Sequence, residues 1–265
     1  MLDQAPLLNG VTRSRRTADY ALITPDTFVP TPLPGWTDAT AVVHIAPEIG
    51  ARFTHYTAEM AAGSVSGGPG AGVSRFAFVA EGAVAFEDSP PGGPAGQTLG
   101  TGEYFFLPPA EDRRFTAGQQ GAKLIVFEKP YVPSGEGPAS AVIGRAGDAP
   151  GEAFQGDADL LLQTLLPAEP AFDMAVNLFT YQPGARLPQV EVHVMEHGLI
   201  MLQGEGVYRL GDDWHPVQAG DIIWMASYCP QWFVAMGKQP AKYLYYKDVH
   251  RDRLTEKPGF AGREA

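Results

Sequence analysis

Apolar and polar residues alternate over short runs along this chain, as in Val207-Tyr208-Arg209-Leu210 and Phe53-Thr54-His55-Tyr56. A period of two is the mark of half-buried β-strands, so the pattern predicts an all-β chain with few, short helices. The pattern also repeats. Ser74 to Phe86 has the strand–glycine–strand shape of 197–210, and Gly102-Glu103-Tyr104-Phe105-Phe106-Leu107 echoes Gly220-Asp221-Ile222-Ile223-Trp224-Met225. The paired glycines, Gly82 with Gly204 and Gly102 with Gly220, are about 120 residues apart, which marks two copies of one unit. Tyr131 to Gly151 is rich in Pro, Gly, Ser and Ala and reads as a connection. The expected division is an N-terminal domain over 1–135, a linker over 136–150 and a C-terminal domain over 151–265.

Composition narrows this picture. The 31 Gly and 24 Pro suit many turns, and 45% hydrophobic residues across 265 positions suffice for two cores. A net charge of −11 and a pI near 4.9 argue against nucleic-acid or anionic-membrane partners and leave a small molecule. An anionic substrate would need a local cation. Cys229 is the only cysteine, so no intrachain disulfide forms, and it reads as a packing residue. The start lacks the charged-then-apolar pattern of a secretory signal, and no apolar run reaches the roughly 18–20 residues of a membrane span. A cytoplasmic location is therefore expected.

The chemistry gathers in Glu191-Val192-His193-Val194-Met195-Glu196-His197. On a strand, Glu191, His193 and His197 fall at even separations and face one side. A lone histidine is usually structural, but two imidazoles and a carboxylate on one face suit a divalent metal. A helix would pair His193 with His197 and leave Glu191 off their face. Glu196, at odd spacing, is expected to point into solvent. His44 and His55 lack a partner at useful spacing and read as structural; His215 and His250 read as exposed.

The spacing resembles the first cupin motif: Gly184 precedes, Glu191 and His193 fill its two-histidine slots, His197 its glutamate slot, and Gly204 closes it. Gly220 to Met225 matches the second motif, with Gln231 in place of its final histidine. A Glu–His–His–Gln set departs from ordinary cupins and resembles the (S)-ureidoglycine aminohydrolase family, two-cupin manganese enzymes of purine (allantoin) breakdown. The likeness runs from Tyr20 to Asp248 and is densest over 172–248.

The resemblance implies two tandem cupin barrels (jelly rolls) and a metal, Mn²⁺ or else Fe²⁺ or another divalent ion, held by Glu191, His193, His197 and Gln231. It implies release of ammonia from ureidoglycine, with the amine and carboxylate of the substrate facing the metal. It places Tyr208, Tyr243 and Lys247 on the substrate, although from the residues alone the two tyrosines read as packing. Glu191 would move protons, and Lys247 would supply the missing cation. Opposite the four ligands, the first copy carries Pro69, Ala71, Arg75 and Arg113, so its barrel is expected to hold no metal. A homo-oligomer is expected, since cupins often pair through sheet edges. Two rivals share the fold: another metallo-cupin such as a dioxygenase or isomerase, and a ligand-binding bicupin without catalysis.

Overall fold

A computed structural model describes residues 11–87, 96–109, 111, 113–134, 137 and 139–251. Nearly all of its regular structure is strand, and every pairing between its strands is antiparallel. The helical segments among the described residues are three single 3₁₀ turns, Pro25–Thr27, Pro47–Ile49 and Ala146–Asp148. No helix among them is long and apolar enough to cross a membrane.

The N-terminal sheet runs Val142–Arg145, Glu103–Leu107, Val73–Phe86, Phe115–Pro130, Thr54–Met60, Ala39–Ile45, Thr31–Pro32, with Thr98–Gly100 added beside Val73–Phe86. The large C-terminal sheet runs Arg15–Arg16, Tyr20–Ile23, Ile222–Met225, His197–Gln203, Ala241–Asp248, Met174–Tyr181, Asp157–Thr164, Glu152–Phe154. A smaller sheet of Asp213–Gln218, Glu205–Leu210 and Gln231–Ala235 closes the C-terminal barrel.

The internal repeat has a physical signature. Gly82 and Gly204 both adopt positive φ, 74° and 75°. A Cβ on Gly82 would come within 2.2 Å of the Gly121 carbonyl oxygen, and one on Gly204 within 2.7 Å of Ala241 Cα. Only glycine meets both demands, which is why the same residue recurs in each copy.

The sheets do not follow the expected division of the chain. Tyr20–Ile23 pairs with Ile222–Met225, so an N-terminal strand completes the C-terminal sheet. Val142–Arg145, inside the expected linker, pairs with Glu103–Leu107 of the N-terminal sheet. Residues 135, 136 and 138 of that stretch lie outside the described residues. Alternation marks a strand but does not say which sheet receives it.

Three apolar clusters hold the molecule. One fills the N-terminal barrel around Phe86, Phe105 and Phe115, and one fills the C-terminal barrel around Phe179, Tyr181 and Phe233. The third lies between the halves, where Phe53 stacks on Tyr246 with centroids 4.1 Å apart. Both faces of the central strands are thereby buried, a condition of a two-layer packing that strict alternation does not reveal.

Candidate active site

The C-terminal barrel encloses a cavity of about 180 Å³. Glu191, His193, His197, Gln231, Tyr208, Tyr243 and Lys247, the residues singled out in the sequence, all line it. Their convergence arises differently from the expectation. Residues 191–196 are not a strand; regular pairing begins at His197. Glu191 instead makes an isolated bridge with Gln231, exchanging N–H···O bonds of 2.9 and 3.0 Å. The chain then bends, with the Tyr228 N–H donating to the His193 carbonyl at 2.7 Å.

Glu196 is buried too, on the side away from the cavity. Glu196 is 2% exposed, against the expectation of a solvated side chain, and accepts from Trp224 Nε1 at 2.9 Å and from Arg52 Nε at 2.8 Å. His215 is another correction. It sits in the strand Asp213–Gln218, half-buried, with Nε2 3.2 Å from the Tyr20 hydroxyl. His250 is exposed, and His44 and His55 are buried in the N-terminal half.

The tautomer of His193 follows from its partners. Its Nδ1 is 3.1 Å from the Met195 carbonyl oxygen, which can only accept, so Nδ1 carries the hydrogen and Nε2 a lone pair. That Nε2 lies 3.2 Å from His197 Nε2 and 3.0 Å from the Gln231 side-chain nitrogen. Turning the amide over would present its oxygen to the same point. Burial lowers the pKa of His193, and lowers that of His197 further with help from His193 and Lys247. Both rings are therefore neutral, the state in which imidazole binds a metal.

The donor chemistry fits a divalent ion. Two nitrogens 3.2 Å apart match two neighbouring ligands on an ion with bonds of about 2.1 Å. Among the described residues no three His, Cys, Asp or Glu side chains stand together at ligand distance. The convergent atoms here are two imidazole nitrogens and an amide, and Glu191 lines the cavity with them. Such a mixed oxygen and nitrogen set suits Mn²⁺ or Fe²⁺ better than structural zinc.

The rest of the cavity is phenolic and apolar with one cation. Burial raises the Glu191 carboxyl pKa, partly offset by Lys247, and burial lowers the Lys247 ammonium pKa, partly offset by Glu191. Burial also raises the phenols of Tyr208 and Tyr243, which stay protonated as donors. Tyr243 is fixed by a 2.7 Å bond to the Tyr181 hydroxyl.

Sequence reasoning missed Tyr245, although its even spacing between Tyr243 and Lys247 puts it on the same face. It lines the cavity, stacks on His197 at 5.6 Å and accepts from Asn177 Nδ2 at 3.0 Å. The apolar wall of Phe154, Leu162 and Phe179 comes from strands without a motif. Cys229 is buried outside the cavity lining, and burial pushes its thiol up to about 11, consistent with packing rather than nucleophilic use.

Comparison with known proteins finds relatives over most of the chain. A model of the cupin domain matches residues 177–246. The (S)-ureidoglycine aminohydrolase of Arabidopsis thaliana is 40% identical over 252 residues, covering 93% of this chain and 81% of the relative. The enzyme of the same name from Escherichia coli is 33% identical, covering 88% of this chain and 90% of the relative. The crystal structure of a glyoxylate-induced protein from Pseudomonas aeruginosa superposes with a TM-score of 0.82 at 29% identity, covering 93% of this chain and 94% of that one.

Proposed function

The chain belongs to the (S)-ureidoglycine aminohydrolase family and hydrolyses (S)-ureidoglycine in purine breakdown, and we propose that it does so with Mn²⁺ held by Glu191, His193, His197 and Gln231. The observation that carries the proposal is the convergence of two neutral imidazole nitrogens and the Gln231 amide in a cavity that also holds one carboxyl and one ammonium group. A bound divalent ion there would act as a Lewis acid, making water more acidic and polarising the substrate.

The protein groups divide the remaining work. A cavity of about 180 Å³ falls below the roughly 300–1,000 Å³ of drug-sized sites and so suits a small metabolite. Lys247 meets an anionic oxygen of the substrate, a charge-assisted contact that the acidic surface does not otherwise offer. Tyr208 and Tyr243 donate hydrogen bonds to the ureido oxygen. The Glu191 carboxylate accepts a proton as water adds to the substrate carbon and returns it to the leaving amine. The carbon–nitrogen bond breaks, a carbon–oxygen bond forms, and the products are ureidoglycolate and ammonia. A homo-oligomer in the cytoplasm belongs to the same reading, and the single buried cysteine suits a reducing compartment.

The test is ammonia release from freshly made ureidoglycine, with and without Mn²⁺. The chiral wall of Tyr208, Tyr243 and Lys247 leaves one face of the reacting carbon open, so one enantiomer, (S)-ureidoglycolate, is expected. Racemic product at the enzyme-driven rate, or turnover of allantoate in place of ureidoglycine, would overturn the assignment.

A further inference from the structure

Behind the site, on the opposite face of its strands, lies a cluster of charged groups that the reaction does not use. His197 and Lys247 face each other in the strand register. Their chain neighbours, Glu196 and Asp248, turn the other way, toward the N-terminal half. There one guanidinium meets both: Arg52 Nε is 2.8 Å from Glu196 Oε2, and Arg52 Nη2 is 2.6 Å from Asp248 Oδ2. The Arg52 backbone N–H adds a bond of 2.9 Å to Glu196 Oε1, and the Glu196 N–H donates to Asp248 Oδ1 at 2.7 Å. Trp224 Nε1 holds the same Glu196 oxygen at 2.9 Å.

The next residue tightens the contact. A Cβ on Gly198 would fall 2.3 Å from the Phe53 ring, so Phe53 lies directly against the strand that carries His197. Arg52 and Phe53 come from the half with no ligand set of its own, between the Pro47–Ile49 turn and the strand Thr54–Met60. Two buried carboxylates this close repel each other unless a cation sits between them. Each is one residue from a group of the site, at the end of the strand ladder that pairs His197 with Lys247.

We propose that Arg52 is a positioning residue of the active site: the N-terminal half lends it to hold Glu196 and Asp248, and through them His197 and Lys247, at working distance. This gives the N-terminal barrel a part in catalysis without a metal of its own. The planar fork of arginine reaches two carboxylates at once, which the single point charge of lysine does not. The inference rests on the assignment of His197 and Lys247 to the site.

The experiment compares wild type with Arg52→Met and Arg52→Lys in full-length protein, well below each melting temperature. It reads Mn²⁺ affinity, kcat and KM for ureidoglycine, and melting temperature. Arg52→Met is expected to lower kcat and Mn²⁺ affinity at least tenfold each. Arg52→Lys is expected to regain most of the melting temperature yet keep at least a threefold loss in kcat. If Arg52→Met does not fold, Arg52→Lys alone decides. Variants that melt earlier but match wild type within twofold in kcat and Mn²⁺ affinity would overturn the inference, because the contact would then only stabilise. His197→Ala and Lys247→Met serve as controls. If these leave kcat/KM unchanged the site assignment fails, whereas if they lower it and the Arg52 variants do not, only the positioning role fails. A wild type that turns over ureidoglycine without metal would sink the metal reading, and kcat would still judge Arg52.

Discussion

Lys247 shows how much a single side chain contributes in an acidic protein. It is the cation of the cavity lining, and burial there weakens its hold on its own proton while Glu191 strengthens it. Replacing it with methionine keeps the length and removes the charge. Lys247→Met is therefore expected to retain bound metal and lose about ten- to hundredfold in kcat/KM, the ~1.5–3 kcal/mol of a charge-assisted hydrogen bond. Unchanged kinetics would place Lys247 outside the substrate contacts. At this scale the sequence was largely legible, since the seven residues it singled out share one cavity. The misses have physical causes. Glu196 departs from the expectation because residues 191–196 form no strand and the N-terminal half, through Arg52, covers the side to which it points. Tyr245 obeys the same even spacing as Lys247, but it belongs to no motif that would single it out.

Among the strands, the pairing of Ala39–Ile45 with Thr54–Met60 buries two histidines that no function claims. His44 donates to or accepts from Thr57 at 2.8 Å, while both ring nitrogens of His55 lack a hydrogen-bond partner among the described residues. Burial lowers the pKa of His44 to about 3, with Lys123 adding to the effect, and burial lowers that of His55 well below the usual value. The unfolded chain takes up these protons near pH 6.5 and the folded chain does not. Their share of stability is thus complete above pH 6.5 and is lost as the pH falls toward about 3, by up to about 1.4 kcal/mol per pH unit for each group. Urea midpoints measured from pH 7.5 to 5 should fall, and His55→Phe should flatten that fall. An equal slope in the variant would count against this account. Strands were readable from alternation, but their placement was not. Segment 191–196 is no strand: Glu191 makes a single bridge to Gln231, and beyond it the His193 carbonyl accepts from Tyr228 instead of from a ladder partner. The exchange of Tyr20–Ile23 into the C-terminal sheet depends on contacts distant in sequence.

In the molecule as a whole, two copies of one barrel have gone opposite ways, and their matching positions show how. In the C-terminal copy the register sets His197 against Lys247; in the N-terminal copy it sets Arg75 against Glu128. Arg75 lies seven residues before Gly82, as His197 lies seven before Gly204. The Arg75 guanidinium is 2% exposed, 2.5 Å from Glu128, bonded to the Gly67 carbonyl at 2.7 Å and stacked over Trp36. It fills with a fixed positive charge the place where the other copy gathers neutral nitrogens. A metal ion brought there would have to displace a buried guanidinium whose carboxylate partner, Glu128, is already engaged by Arg75 and the Tyr56 hydroxyl. The full-length chain should therefore bind one Mn²⁺, and His193→Ala, which removes a ligand nitrogen from the C-terminal copy alone, should bind almost none. Metal analysis after gel filtration reads both directly. An ion retained after His193→Ala and His197→Ala together, or two ions per wild-type chain, would mean that the N-terminal barrel binds metal after all, and that Arg75 does not stand in for it.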